Sequence, residues 1–198
     1  MGKIYCIIGK SASGKDTLFL HILSKYKGDI IPVVPYTTRP KRIHEVDGVD
    51  YHFVSEEQMV VYEKNDQIVE KRSYQTVHGI WHYFTLNFYM DKDRDYLLIT
   101  TLEGACSLQH YYGSEHVNVV YLFLDDKERL LRGIIRESKQ INPNYSEVCR
   151  RFLADQNDFS DEKLSLIRNL YPINTGDGME NTFEQWEVYF ANERKKRI

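Results

Sequence analysis

The stretch Lys3-Ile4-Tyr5-Cys6-Ile7-Ile8-Gly9-Lys10-Ser11-Ala12-Ser13-Gly14-Lys15-Asp16-Thr17-Leu18 decides how this chain folds. Lys3 to Ile8 is a short apolar run of the kind a covered strand shows. A turn holding two glycines follows. From about Lys15 to Tyr26 the residues Leu18, Ile22 and Lys25 then fall at helical spacing, with Leu20 and Leu23 expected to widen the apolar face.

Within it, Gly9-Lys10-Ser11-Ala12-Ser13-Gly14-Lys15 fits the first seven positions of the phosphate loop G-x-x-x-x-G-K-[ST]. The glycines let the backbone curl so that successive N–H groups turn inward around phosphate oxygens. The helix adds the partial positive charge of its N-terminus, and Lys15 a mobile point charge for the β- and γ-phosphates. Gly9, Ser11, Ala12, Ser13, Gly14, Lys15, Asp16 and Thr17 are therefore expected to hold ATP. The eighth position, where a hydroxyl meets Mg²⁺, is Asp16, with Thr17 beyond it. Either Thr17 supplies the hydroxyl or the Asp16 carboxylate joins the metal shell, directly or through water. Our expectation is the first, with Asp16 acting indirectly.

The 198 residues suffice for one domain with a substantial core and leave room for a small inserted lobe. Hydrophobic residues are 42% and charged residues 28%, an ordinary balance that excludes a disordered chain. A net charge of −3 argues against nucleic acid as partner. Cys6, Cys106 and Cys149 are scattered without metal-ligand spacing, which suits a reducing compartment, and Cys6 reads as core. The N-terminal apolar run is too short for a signal peptide, no run approaches a membrane span, and Met1-Gly2 is discounted as a lipidation site. A cytoplasmic protein without membrane contact is expected, with a homodimer left open.

Apolar strands are predicted at Ile30 to Val34, Tyr96 to Thr100, Val117 to Leu124 and Tyr171 to Asn174. Helices are predicted at about Glu103 to Tyr112, Asp126 to Ser138, Tyr145 to Asn157 and Thr182 to Lys195, the last with a basic end, Arg194 to Arg197, suited to the helix dipole. This alternation implies an α/β fold, a parallel sheet flanked by helices. The middle departs from it, with strands at Asp50 to Val54, Gln67 to Tyr74 and Val77 to Phe84 and one short helix capped by Ser55. We expect a single domain: a core over residues 1–34 and 94–198, a helical lid at about 132–155, and a mixed α/β acceptor lobe over 35–93.

The second informative stretch is Tyr36-Thr37-Thr38-Arg39-Pro40-Lys41-Arg42-Ile43-His44-Glu45-Val46-Asp47-Gly48-Val49-Asp50-Tyr51-His52-Phe53. Two arginines three apart, beside hydroxyls and tyrosines, can grip a compact dianion through charge-assisted bonds, and Glu45 can hold one guanidinium. Arg39, Arg42, Glu45, Gly48, Asp50, Tyr51 and Phe53 reproduce an Arg-x-x-Arg-x-x-Glu then Gly-x-Asp-Tyr-x-Phe pattern. In this the chain resembles the guanylate kinase family of P-loop nucleoside monophosphate kinases, over nearly its whole length.

The resemblance implies transfer of phosphate from ATP·Mg²⁺ to a nucleoside monophosphate, GMP or dGMP first. It implies that Arg39, Arg42 and Tyr51 hold the acceptor phosphate, that Glu70 pairs with the guanine edge, and that Tyr83 and Thr85 serve phosphate and base. Arg132, Arg136 and Arg151 resemble arginines that close over the triphosphate; pairing with acids such as Glu128 and Glu137 is the lesser alternative for each. Asn174 resembles a residue near adenine, and Trp81 and Tyr74 read as lobe packing.

Two positions depart from the pattern. Pro35-Tyr36 stands where the family's turn usually begins with serine, so one phosphate-binding hydroxyl is either missing or supplied by Tyr36. The family's Asp-x-Asp is Ile99-Thr100-Thr101 here, leaving Thr101 a hydroxyl where a carboxylate would read a purine N–H pair more strongly. The base is therefore left open, as are a kinase for another (deoxy)nucleoside monophosphate and a non-catalytic binding module of the same fold. The module is disfavoured because Gly9, Gly14 and Lys15 are all present.

Overall fold

In the computed structural model, which describes residues 2–76 and 79–196, the core is a five-stranded sheet. It is built from β1 (Ile4–Gly9), β2 (Ile30–Pro32), β7 (Asp95–Ile99), β8 (Val117–Phe123) and β9 (Leu170–Asn174) in the order β2-β7-β1-β8-β9. Each neighbouring pair is parallel, as an alternating strand–helix sequence requires. The helices are α1 (Lys15–Lys25), α3 (Leu102–Tyr112), α4 (Asp126–Glu137), α5 (Tyr145–Asp158), the short α6 (Asp161–Leu164) and α7 (Met179–Lys195).

The side-chain period of two divides β1 between two cores. Ile4, Cys6 and Ile8 pack with Leu102, Ala105 and Leu108 of α3 and with Phe159 and Ile167. Tyr5 and Ile7 pack with Leu18 and Ile22 of α1 and with Trp186, Tyr189 and Phe190 of α7. Both faces of β1 are covered, which is why its sequence runs apolar without alternation. Leu20, expected on the buried face of α1, is 65% exposed: at helical pitch it lies two residues from both Leu18 and Ile22 and so points away from their stripe.

A second sheet holds β3 (Tyr36–Thr37), β4 (His52–Phe53), β5 (Ile68–Thr76) and β6 (Gly79–Leu86), ordered β4-β3-β6-β5, with α2 (Glu56–Lys64) packed beside it. Ser55 caps α2 in a reciprocal box with Gln58. The two-residue β3 is too short to show alternation in sequence. It is held by Tyr36 opposite Phe84 and Thr37 opposite Tyr83. The strand expected from Asp50 begins only at His52, because Asp50 turns back to accept from the Val46 amide at 2.7 Å. The expected strand start at Val77 and the end of the basic tail at Arg197 lie outside the described residues. Within them, Arg194 lies 3.8 Å from Asp29 and over the Phe190 ring.

Candidate active site

The order of the core strands reverses direction at β1, and the loop leaving its C-terminal end lies where parallel sheets carry their ligands. Gly9 and Gly14 both take positive φ, 154° and 94°. A Cβ on Gly9 would stand 2.5 Å from the Leu122 carbonyl oxygen, so only glycine passes there. Ala12 also lies in the left-handed region, at φ 64°. Lys15 folds back and donates to the carbonyl oxygens of Gly9 at 2.7 Å and Lys10 at 3.0 Å. Burial lowers its pKa, Asp16 and Asp155 raise it in part, and Arg136 and Arg129 lower it further. Ser13 is fully buried in the loop. Asp16 and Thr17 stand exposed in the first turn of α1.

A polar network that the sequence did not signal ties this loop to α4 and α5. The Ser11 amide donates to Asp155 Oδ2 at 2.8 Å. Arg129, one of the most deeply buried side chains, bridges Asp155 at 2.8 Å and Asp126 at 3.0 Å and covers the Phe152 ring. Lys10 reaches Gln156 at 2.6 Å. Arg129 lies one turn from Arg132 and Gly133, yet its role shows only once α5 is folded against α4.

The sequence-predicted lid arginines divide. Arg136 and Arg151 line a cleft of about 170 Å³ with Ser11, Ala12 and Phe152, opening on the phosphate loop. Arg151 and Arg150 both bond Glu147, which holds that carboxyl down at about 2. Arg132 lies 3.8 Å from Glu128 and donates to the Thr175 carbonyl at 3.2 Å. Asn174 spends its side-chain oxygen on the Gly176 amide at 2.9 Å.

The second cluster centres on Arg39, 4% exposed. Its Nη1 and Nη2 donate to the two Glu45 oxygens at 2.6 and 2.5 Å, its Nε to the Tyr83 hydroxyl at 3.1 Å, and Nη1 also to the Pro40 carbonyl at 3.0 Å. The Tyr51 and Phe53 rings lie against its guanidinium. These bonds hold the Glu45 carboxyl at about 2, with burial opposing them. Arg42 is exposed; its amide donates to Glu45 at 2.9 Å, and its guanidinium makes no bond among the described residues. The hydroxyls of Thr37 and Thr38 fasten the turn to the backbone of His82.

Glu70, Thr85 and Tyr83 continue this strip along β5 and β6. A bulge between Ile68 and Glu70 sets Glu70 opposite Thr85, whose hydroxyl donates to Glu70 Oε1 at 2.9 Å. Without the extra residue Glu70 would oppose Phe84 on the other face. Tyr36 does oppose Phe84, and it packs on that other face against His52, Tyr62 and Phe84. Its expected part in holding acceptor phosphate is thus corrected by strand alternation. Tyr74 is 49% exposed and sets its ring edge-on to Tyr83, while Trp81, across the ladder from it, is partly buried. Thr101 caps α3, accepting from the Gly104 amide at 3.2 Å.

Residues 1–140 match the family model described as guanylate kinase. The chain belongs to the guanylate kinase family. It is 29% identical over 147 residues to the guanylate kinase of Thermotoga maritima, covering 69% of this chain and 67% of that protein. To the guanylate kinase of Ehrlichia ruminantium (strain Gardel) it is 32% identical over 145 residues, covering 70% and 68%. The crystal structure of guanylate kinase from Anaplasma phagocytophilum superposes with a TM-score of 0.64 at 21% identity, covering 97% of this chain and 86% of that one, a likeness of fold.

Guanylate kinases are nucleoside monophosphate kinases, and the loop from Gly9 to Thr17 and the cluster around Arg39 both fall inside the matched stretch, whereas Arg151, Asp155 and Asn174 lie beyond it. A divalent metal is expected in this family. Thr17 and Asp16 offer exposed, hard oxygen donors at the mouth of the loop, which fit Mg²⁺. Among the described residues no group of three or more His, Cys, Asp or Glu is placed to hold a metal ion. No helix among them is long and apolar enough to cross a membrane.

Proposed function

We propose that this chain transfers the γ-phosphate of ATP to GMP, yielding ADP and GDP. The observation that supports the reading is the contact of Glu70 with the core. A Cβ on Gly104, at the start of α3, would lie 3.4 Å from Glu70 Oε2, so the acceptor strip abuts the helix that follows β7, and β7 pairs with the strand from which the phosphate loop springs.

The loop amides and Lys15 hold the ATP phosphates, with Asn174 near the adenine. Arg42, Tyr51 and Tyr83 meet the GMP phosphate, with Arg39 fixed behind them by Glu45, and Glu70 and Thr85 meet the base. An oxygen of that phosphate attacks Pγ while the bond from Pγ to the β-bridging oxygen breaks. The nucleophile is already anionic, so no general base is needed; catalysis is placement and charge neutralisation. Arg132, Arg136 and Arg151 bring positive charge over the transferred group. Thr17, with Asp16 behind it, would hold Mg²⁺, which would supply charge neutralisation at the phosphate oxygens. The three free cysteines favour a cytoplasmic setting.

A coupled ATP-consumption assay across GMP, dGMP, AMP, UMP, CMP and dTMP tests the reading. Turnover is expected with GMP. Binding of nucleotide with no turnover of any acceptor would leave a binding module instead.

A further inference from the structure

Glu70 shares the base end of the acceptor strip with an arginine that the sequence did not single out. Arg72, two residues along the same strand face, sets Nε 3.1 Å from Glu70 Oε2 and Nη2 3.3 Å from Oε1. The Glu70 side chain is 2% exposed and that of Arg72 19%, so Arg72 is the member of the pair within reach of a ligand from solvent. Its Nη1 has no acceptor among the described residues. It also lies near enough to Tyr51 to oppose the rise that burial imposes on that phenol's pKa. Arg72 thus stands between the base end of the strip and its phosphate end.

Beside the pair, Thr100 Oγ1 is buried with no hydrogen-bond partner among the described residues. A Cβ on Gly104 would stand 2.2 Å from that oxygen and 3.4 Å from Glu70 Oε2, so both oxygens border one confined space. A buried hydroxyl without a partner calls for a group that completes it.

We propose that Arg72 is the residue that selects the nucleobase. Together with Glu70 it presents an N–H donor next to a carboxylate acceptor, complementary to a base edge on which a carbonyl adjoins a ring N–H. Guanine and hypoxanthine carry that edge at O6 and N1. Adenine carries an amino group beside a bare ring nitrogen, so donor meets donor and acceptor meets acceptor, and the buried groups go unpaired. Glu70 alone would repel a carbonyl; the Arg72 cation makes the pair neutral and turns the repulsion into a bond. Guanine's 2-amino group, which hypoxanthine lacks, reaches the carboxylate and not the arginine. The inference rests on the kinase reading above and names the base-reading group within it.

The test is calorimetric binding and steady-state turnover of GMP, IMP and AMP by the full chain and by Arg72→Ala and Arg72→Gln. Arg72→Ala is expected to lose about tenfold to a hundredfold in affinity for GMP and IMP alike, the worth of a charge-assisted hydrogen bond. It should keep the KM for ATP and narrow the preference over AMP by the same factor. Arg72→Gln, which retains a donor, should recover part of the loss, and it carries the comparison if the alanine variant fails to fold. A collapse of the GMP-to-IMP ratio toward one would show that Arg72 acts only by holding Glu70, and would overturn the proposal. An unchanged GMP-to-AMP ratio would overturn it too. GMP binding without turnover in the unaltered chain defeats the kinase reading, while the binding ratios still judge Arg72.

Discussion

The phosphate loop and the strip we propose for the acceptor are made of different material. In the loop the donors are backbone amides, and geometry is enforced by positive φ at Gly9, Ala12 and Gly14. In the strip the groups are side chains brought together from β3, β5, β6 and the turn between β3 and β4, and geometry is enforced by ion pairs, Arg39 with Glu45 and Arg72 with Glu70. A backbone cage survives most side-chain changes but loses its function with one lysine. A side-chain cage is built on buried charges, so a single truncation should damage folding and binding together.

The largest effect expected from this contrast is at Lys15. Lys15→Ala should lower kcat on the order of a thousandfold or more, as removal of a preorganised charge at the reacting group does. Circular dichroism should stay unchanged, since the loop amides remain; loss of the fold would break the contrast.

Glu45→Ala comes next. Removing it leaves Arg39 buried and unpaired, at about 3 kcal/mol in urea unfolding, the low end for such a loss because Glu45 itself is partly exposed. Its folded pKa of about 2 lies below the ordinary carboxyl value, so its stabilisation is complete above that ordinary value and is lost as pH falls toward 2. Stability profiles of the unaltered chain and the variant should therefore converge below pH 4, and parallel profiles would refute the pairing.

Arg42→Ala sharpens the division inside the strip. With its guanidinium uncommitted, the variant should raise the KM for GMP about tenfold while leaving the unfolding midpoint alone. Asp16→Ala should do least, raising the Mg²⁺ concentration for half-maximal rate severalfold; a loss as deep as that of Lys15→Ala would make Asp16 a direct ligand.

The same contrast explains what could be read in the sequence alone. The loop is contiguous, so spacing alone exposed Gly9, Gly14 and Lys15, and apolar runs located all five core strands. The Arg39–Glu45 pair was also legible, being six residues apart in one turn. Arg72, Arg129 and Asp155 were not, since each acquires its role from a partner on another strand or helix, or from the bulge before Glu70. Tyr36 was misplaced for a related reason: a two-residue strand shows no alternation, and only its register with Phe84 reveals which way it points.

The lobe between β2 and β7 leaves and rejoins the core sheet on adjacent, hydrogen-bonded strands, with β2 at the sheet's rim. An arm hung from the outermost pair of strands can be lengthened, trimmed or exchanged without disturbing β1, which bears the phosphate loop. On the roles proposed above, choice of acceptor and handling of ATP fall to separable parts, and grafting residues 35–93 between related kinases should carry acceptor preference across while the donor side stays as it was.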